Sequence, residues 1–188
     1  MDKFIFLDID GVLNCSTTTQ YIHLFVGIDP QKCQILKQIV DLTGGKIILC
    51  SSWKSEWDRD PEKCTEYGTY LQQNFDDAGL VIHDITKDAG RDRGRGILRY
   101  LYAHPCDGFI VLDDEFFADY KQCNIVPHWL HTYDGDGGLL ERHIELACQL
   151  MKVPVVLPDR QAMTDRPTIE LDELYDYNDG KYDNKLLV

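Results

Sequence analysis

Five short runs, at residues 4–7, 46–50, 81–85, 109–112 and 129–132, are separated by segments whose apolar residues recur at helical spacing. The clearest of them, "FIFL", "IIL" and "FIVL", carry no polar alternation, as expected of strands covered on both faces. Between them, segment 31–42 places Ile35, Leu36, Ile39 and Val40 on one helical face, after an Asp29-Pro30 start and before Gly44-Gly45. A second helix is expected to start at Asp60-Pro61, with Tyr67, Tyr70, Leu71 and Phe75 along one face and Gly79 at its end. A third follows the arginine-rich turn 91–95 and carries Ile97, Leu98 and Leu101; a fourth covers 140–151. This alternation predicts an α/β fold with a central, mostly parallel five-stranded sheet and helices on both faces. In such folds the ligand crevice lies beyond the carboxyl ends of the strands, where the strand order switches.

The alternation ends near Lys152. The remaining stretch, residues 153–188, contains three prolines and many acids without a clear period. Residues 1–152 are therefore expected to form the catalytic domain. Residues 153–188 read as an acidic C-terminal extension, docked through residues 155–157 and otherwise mobile. Its "DYNDG", and the earlier "DGDGG", lack the glycine placement of a calcium loop and read as turns. The seven cysteines are dispersed with no CxxC pair, and residues 1–3 lead straight into a strand without a signal-peptide pattern. Reduced thiols in a cytoplasmic protein are the expectation. No apolar run is long enough to span a bilayer. The formal net charge of −13 argues against broad nucleic-acid binding, which depends on cations that neutralise phosphates. A chain this acidic needs concentrated positive charge, a metal ion or a few arginines, to handle a phosphorylated substrate.

Two of the strand ends carry paired acids. Asp8 and Asp10 follow the first run in "FLDIDGVLN", Asp113 and Asp114 follow the fourth in "FIVLDDE", and the second run ends in Ser51-Ser52. Carboxylates gathered in a partly desolvated cleft repel one another, and a hard divalent cation with oxygen ligands, Mg²⁺ above all, offsets that repulsion. The plainer alternative is that each pair merely caps a strand or begins a loop.

"FLDIDGVLN" resembles the first signature, DxDGV, of the haloacid dehalogenase (HAD) superfamily. "IILCSS" is similar to its second, Arg93 in "RGRGI" to its third, and "FIVLDDE" to its fourth. "SSWK", "RGxxI" and "GGLLERHIELA" most resemble the branch of HAD domains of Swiss-army-knife RNA-repair-type proteins. The resemblance implies a HAD-like Rossmannoid three-layer sandwich over roughly residues 1–152. It further implies a Mg²⁺-dependent phosphohydrolase that works through an aspartyl-phosphate. Asp8 would be the nucleophile, and Asp10 the acid and base that serves the leaving oxygen and the water. An acid at the Asp10 position implies phosphoryl chemistry, because the dehalogenases of the superfamily lack one there. Ser51, with Ser52 as its competitor, would hold a phosphoryl oxygen, and Arg93, with Arg91 and Arg95 as competitors, would offset charge. The metal set would be Asp8, the backbone carbonyl of Asp10, and Asp114, with Asp113 acting from behind them.

Substrate choice has fewer markers. The intervals between the signatures are mostly filled by helix and strand, so the enzyme should be essentially capless, with an open cleft. The flap 15–28 is the lid candidate: Tyr21, His23 and Phe25 alternate as on a strand and either stack on substrate or pack the flap down. Trp53 and Lys54 either border the phosphate or form a core Trp beside a solvated Lys. His128 and His131 should face opposite ways on a strand, which disfavours a zinc site. A phosphomonoester phosphatase leads these readings. A nucleic-acid end-processing phosphatase and a non-catalytic scaffold with an acidic tail are its competitors.

Overall fold

Strand β1 (Asp2–Leu7) leaves its sheet into a small hairpin, β2 (Tyr21–Ile22) and β3 (Phe25–Val26), in a computed structural model that describes residues 1–87 and 92–160. The chain continues through α1 (Pro30–Thr43), β4 (Lys46–Leu49), α2 (Glu66–Ala78) and β5 (Ile82–Ile85). It then forms α3 (Arg93–Ala103), β6 (Cys106–Asp113), β7 (Trp129–His131) and α4 (Arg142–Leu150). The sheet runs in the order β5-β4-β1-β6-β7, and each neighbouring pair is parallel. β1 thus lies in the middle, and the strand order reverses on either side of it. That is the switch point at which ligands bind in α/β sheets.

Both faces of the sheet are covered, which explains the unbroken apolar runs. Ile5 and Leu7 of β1, with Ile110 and Leu112 of β6, face a cluster built with α1, α2 and α4. Phe4, Phe6, Phe109 and Val111 face the opposite cluster, which includes α3, Phe116 and Tyr120. Each such side chain contributes roughly 1.5–3 kcal/mol when fully buried. A one-residue slip would exchange the two sets, so burial on both sides locks the register. That register pairs Leu7 with Leu49 on one side and Leu112 on the other. The residues just beyond, Asp8, Asp113 and, after Cys50, Ser51, therefore emerge together at the same sheet edge.

Two local expectations are corrected. The helix expected from Asp60-Pro61 is two elements. Asp60 caps only a 3-10 turn at Pro61–Lys63, and Thr65 then caps α2 through Gly68 N at 3.3 Å. Gly68 lies so close to the backbone of Glu56 that a Cβ there would sit 1.9 Å from its carbonyl oxygen, and the chain has to redirect before it can enter α2. In the flap, Tyr21, His23 and Phe25 do not share one strand. His23 takes a left-handed φ of 54° at the tip, and Tyr21 pairs with Val26 across an antiparallel hairpin. Beyond α4, Val155 and Leu157 pack against the Phe4–Phe6 face, and Asn124 Nδ2 donates to Val156 O at 2.8 Å. The rest of the acidic extension, with "DYNDG", lies outside the described residues. Among the described residues no helix is long and apolar enough to cross a membrane.

Candidate active site at the strand tips

Asp8 directly follows β1 with its backbone N donating to Leu112 O at 2.9 Å, and the residue is only 5% exposed. Carboxylate oxygens of Asp8, Asp113 and Asp114 lie within 4.8 Å of one another, the grouping suited to a metal ion among the described residues. Gly11, at φ +68°, makes room for this: a Cβ there would be 2.0 Å from Asp114 Oδ2. Arg93 supplies the nearby positive charge, its Nη1 lying 3.2 Å from Asp8 Oδ2 and 2.6 Å from Asp113 Oδ2.

One guanidinium does not balance three acids. Burial, then the charge of Asp113, pushes the Asp8 carboxyl up to about 7, against the opposing pull of Arg93 and a hydrogen bond from Ser51. Burial, then Asp113 and Asp8, pushes Asp114 up to about 8. Burial also raises Asp113, with Arg93 and Tyr120 resisting. Burial works against the Arg93 cation too, but Asp113 and Asp8 outweigh it and hold the guanidinium protonated. Acids pushed up together around oxygen-only donors fit a hard divalent cation, which would replace their protons.

The two signature acids of the fourth strand differ in their bonds. Asp113 is fully buried and committed: its Oδ2 accepts from Arg93 and, at 2.7 Å, from Tyr120 Oη, while its Oδ1 accepts from Glu115 N at 3.0 Å. Asp114 instead faces the cleft over Gly11. Asp10 is turned away from the trio. Its Oδ1 accepts from Asn14 Nδ2 at 2.9 Å and its Oδ2 from Trp53 Nε1 at 3.1 Å, so the side chain is oriented into the cleft rather than toward Asp8. Its carboxylate is not part of the metal-suited group.

Ser51 is fully buried, bonds to Asp8, and accepts from Trp53 N at 3.3 Å. Ser52 is exposed and lines the cleft. Lys54 turns back, its Nζ donating to Cys50 O at 3.3 Å, and does not line the cleft. Trp53 is mostly buried, but its indole N–H serves Asp10, so neither of the two readings of that residue was complete. Of the two described arginines among the three candidates, Arg93 is the one placed against Asp8 and Asp113. Arg95 pairs with Asp92 at 2.8 Å, and Arg91 lies outside the described residues.

Residues that sequence reasoning did not single out hold Arg93 in place. Phe117 lies under the guanidinium, 4.2 Å from its ring centroid. Asp119 accepts from Gly94 N at 3.1 Å and Arg95 N at 2.8 Å, which caps the start of α3 from outside the helix. Tyr120 bonds Asp113. Residues 117, 119 and 120 thus join the third signature to the fourth, and the one readable sign was "FFADY" directly after "LDDE". β7 fixes the same backbone: Trp129 Nε1 donates to Asp113 O at 3.0 Å, and Thr132 Oγ1 to Gly11 O at 2.9 Å. His131 Nε2 lies 3.0 Å from Asp114 O, whereas His128 Nδ1 is 3.1 Å from Phe109 O, so the two histidines serve different backbones.

Beside Asp10 opens a cleft of about 730 Å³ whose lining includes Trp53, Tyr67, Phe25 and Val26. The flap reaches it through β3. Tyr21 and His23 are not in that lining; His23 Nε2 lies 3.0 Å from Glu66 Oε1 and its ring meets Tyr67 edge-on. For His23 and Phe25, the flap's contact is packing on α2.

Residues 4–144 match the family described as the HAD domain in Swiss Army Knife RNA repair proteins. No curated protein and no solved structure matches the chain.

Proposed function

Since the chain belongs to the family of the HAD domain in Swiss Army Knife RNA repair proteins, a HAD-type hydrolase, we propose that it is a Mg²⁺-dependent phosphomonoester phosphatase. One observation carries this reading: two buried acids and a third at the cleft edge whose oxygens converge within 4.8 Å, opposed among the described residues by Arg93, next to a separately oriented Asp10. Asp8 and Asp114, with the backbone carbonyl of Asp10, would hold the cation, and Asp113 would act from behind through its fixed bonds. The ion would neutralise the acids and draw charge from the phosphoryl oxygens.

In the first step an oxygen of Asp8 attacks phosphorus and the bond from phosphorus to the leaving oxygen breaks. Asp10 hands that oxygen a proton. The products are the alcohol and an aspartyl-phosphate. A water then attacks phosphorus and gives its proton to Asp10, and the Asp8–phosphorus bond breaks to free inorganic phosphate. Ser51 donates to a phosphoryl oxygen, and Arg93 offsets charge that builds between Asp8 and the transferring group. Asn14 and Trp53 aim Asp10 throughout. Residues 1–152 serve as the catalytic unit in this reading, with the acidic extension outside the chemistry.

The expected result is phosphate release from an aryl phosphate that needs Mg²⁺, stops with EDTA, and falls about 10⁴-fold or more in Asp8→Asn. A folded wild-type protein that is inert with Mg²⁺ on a broad panel of phosphate monoesters overturns the reading. Cation binding without turnover would favour the scaffold alternative. The RNA-repair description of the family favours one second reading, a phosphatase for nucleic-acid ends. It is separated from the first by turnover of oligonucleotides bearing a terminal phosphate.

A further inference from the structure

Three rings lead outward from the acid that serves the leaving oxygen. Trp53 donates its Nε1 to Asp10 Oδ2 at 3.1 Å. Tyr67 meets Trp53 edge-on with centroids 6.4 Å apart, and Phe25 meets Tyr67 edge-on at 5.8 Å. Asp10 and all three rings line the same cleft, so the space outward from Asp10 is bordered by them. Charge constrains the same space. Among the described residues that line the cleft there is no Lys or Arg, while Glu56 and Asp134 join Asp10 and Asp114 there. Both additional acids are anchored: Glu56 Oε2 accepts from Thr65 Oγ1 at 2.7 Å, and Asp134 Oδ1 from Ser16 N at 2.7 Å. They cannot swing freely away from an incoming anion.

We propose, resting on the phosphatase reading above, that the cleft selects phosphate monoesters of uncharged, flat-ringed alcohols and rejects leaving groups that carry a second phosphate. The rings offer apolar surface and π-faces to a flat group. A second phosphate would lose water beside carboxylates with no cationic side chain among the described residues of the lining to receive it, and the repulsion is strongest in such a partly desolvated space. A nucleic-acid end carries such a phosphate on the sugar that leaves. A single nucleotide or an aryl phosphate does not.

The test compares kcat/KM with Mg²⁺ for 2-naphthyl phosphate, adenosine 5′-monophosphate, a 5′-phosphorylated adenosine dinucleotide and glycerol 3-phosphate. At least one ring-bearing monoester should exceed glycerol 3-phosphate by about tenfold or more, and the mononucleotide should exceed the dinucleotide by about tenfold or more. The first two substrates tell an aryl group from a nucleoside. Tyr67→Ala should narrow the ring preference chiefly through KM. Glu56→Gln with Asp134→Asn should narrow the mononucleotide preference, and so should added salt on the unmodified protein, which covers the case of a variant that does not fold. A dinucleotide turned over as well as the mononucleotide overturns the proposal, as does glycerol 3-phosphate matching both ring substrates. No phosphate from any of the four overturns the selection, and no phosphate from the broader panel of monoesters as well overturns the phosphatase reading itself; turnover in the wrong order overturns only the selection.

Discussion

Toward α3, the tip of β1 meets side chains that are buried and bonded to several partners; toward the hairpin, it meets rings that touch edge-on and stay partly in water. On the first side Arg93 contacts Asp8, Asp113 and Phe117, and Asp113 is in turn held by Tyr120 and Glu115 N. On the second, Phe25 is 62% exposed and Leu24 at the hairpin tip 95% exposed. The difference follows from what each side must do. Charges brought together at low dielectric are tolerated only if every partner is fixed. A surface that receives a substrate can leave its apolar groups uncovered until the substrate arrives, and regions with few buried contacts sit at the low-stability end of a fold.

Removing Arg93 is the strongest way to break the comparison. Arg93→Ala leaves buried acids without their cation and should cost about 3–5 kcal/mol in urea denaturation with EDTA present. Activity should be lost with it. Arg93→Lys should recover part of the stability, because a charge returns, but less of the activity, because a point charge cannot reproduce the guanidinium's seat on Phe117. An Arg93→Ala protein as stable as the wild type would show that the locked side is not held by charge.

The second expected effect links pH to the cation. Asp8 is pushed up to about 7 and Asp114 to about 8, chiefly by burial, against ordinary values of 3.8. The folded protein therefore binds more protons than the unfolded chain between about pH 4 and pH 8. Stability without metal should fall as pH rises through that window, by at most about 1.4 kcal/mol per pH unit for each carboxyl. Mg²⁺ should flatten the decline, since the ion replaces the protons and binds more tightly as pH rises. Thermal denaturation at pH 5 and pH 8, with EDTA and with Mg²⁺, reads this directly. A metal-free protein equally stable at both pH values would mean that the acids are not forced together.

The two sides also differ in how far the sequence disclosed them. Asp8, Ser51 and Asp113 were legible because an apolar run buried on both faces has one register, and the residue just past its end has only one place to go. Arg93 was legible for a related reason: it opens a helix whose apolar face is readable at Ile97, Leu98 and Leu101. Asp119 and Tyr120 were not, because segment 116–125 has neither strand nor helix period, and its role depends on which strand tip it folds beneath. Trp53 and Asn14 were hidden differently. Each forms a single hydrogen bond to Asp10, Asn14 within the same loop and Trp53 from the loop beyond β4, and such bonds leave no period in the sequence. The hairpin misled most: alternation at residues 21, 23 and 25 suggested one strand, but a left-handed His23 reverses the chain between them. Two-residue strands are too short for alternation to identify.

Phe25→Ala is the smallest change and the one that sharpens the comparison most. The side chain is largely exposed, its described ring contact is the Tyr67 edge, and the hairpin has a second anchor in Tyr70, whose hydroxyl accepts from Ile28 N at 3.0 Å. The denaturation midpoint should therefore move by less than about 0.5 kcal/mol, as for other exposed positions. Removing the ring should nonetheless raise KM for ring-bearing monoesters and leave glycerol 3-phosphate unaffected, because only a flat group extends that far from Asp10. A loss above about 1 kcal/mol would mean that the hairpin is part of the core rather than a surface awaiting substrate. An unchanged KM would move the outer limit of the cleft inward to Tyr67.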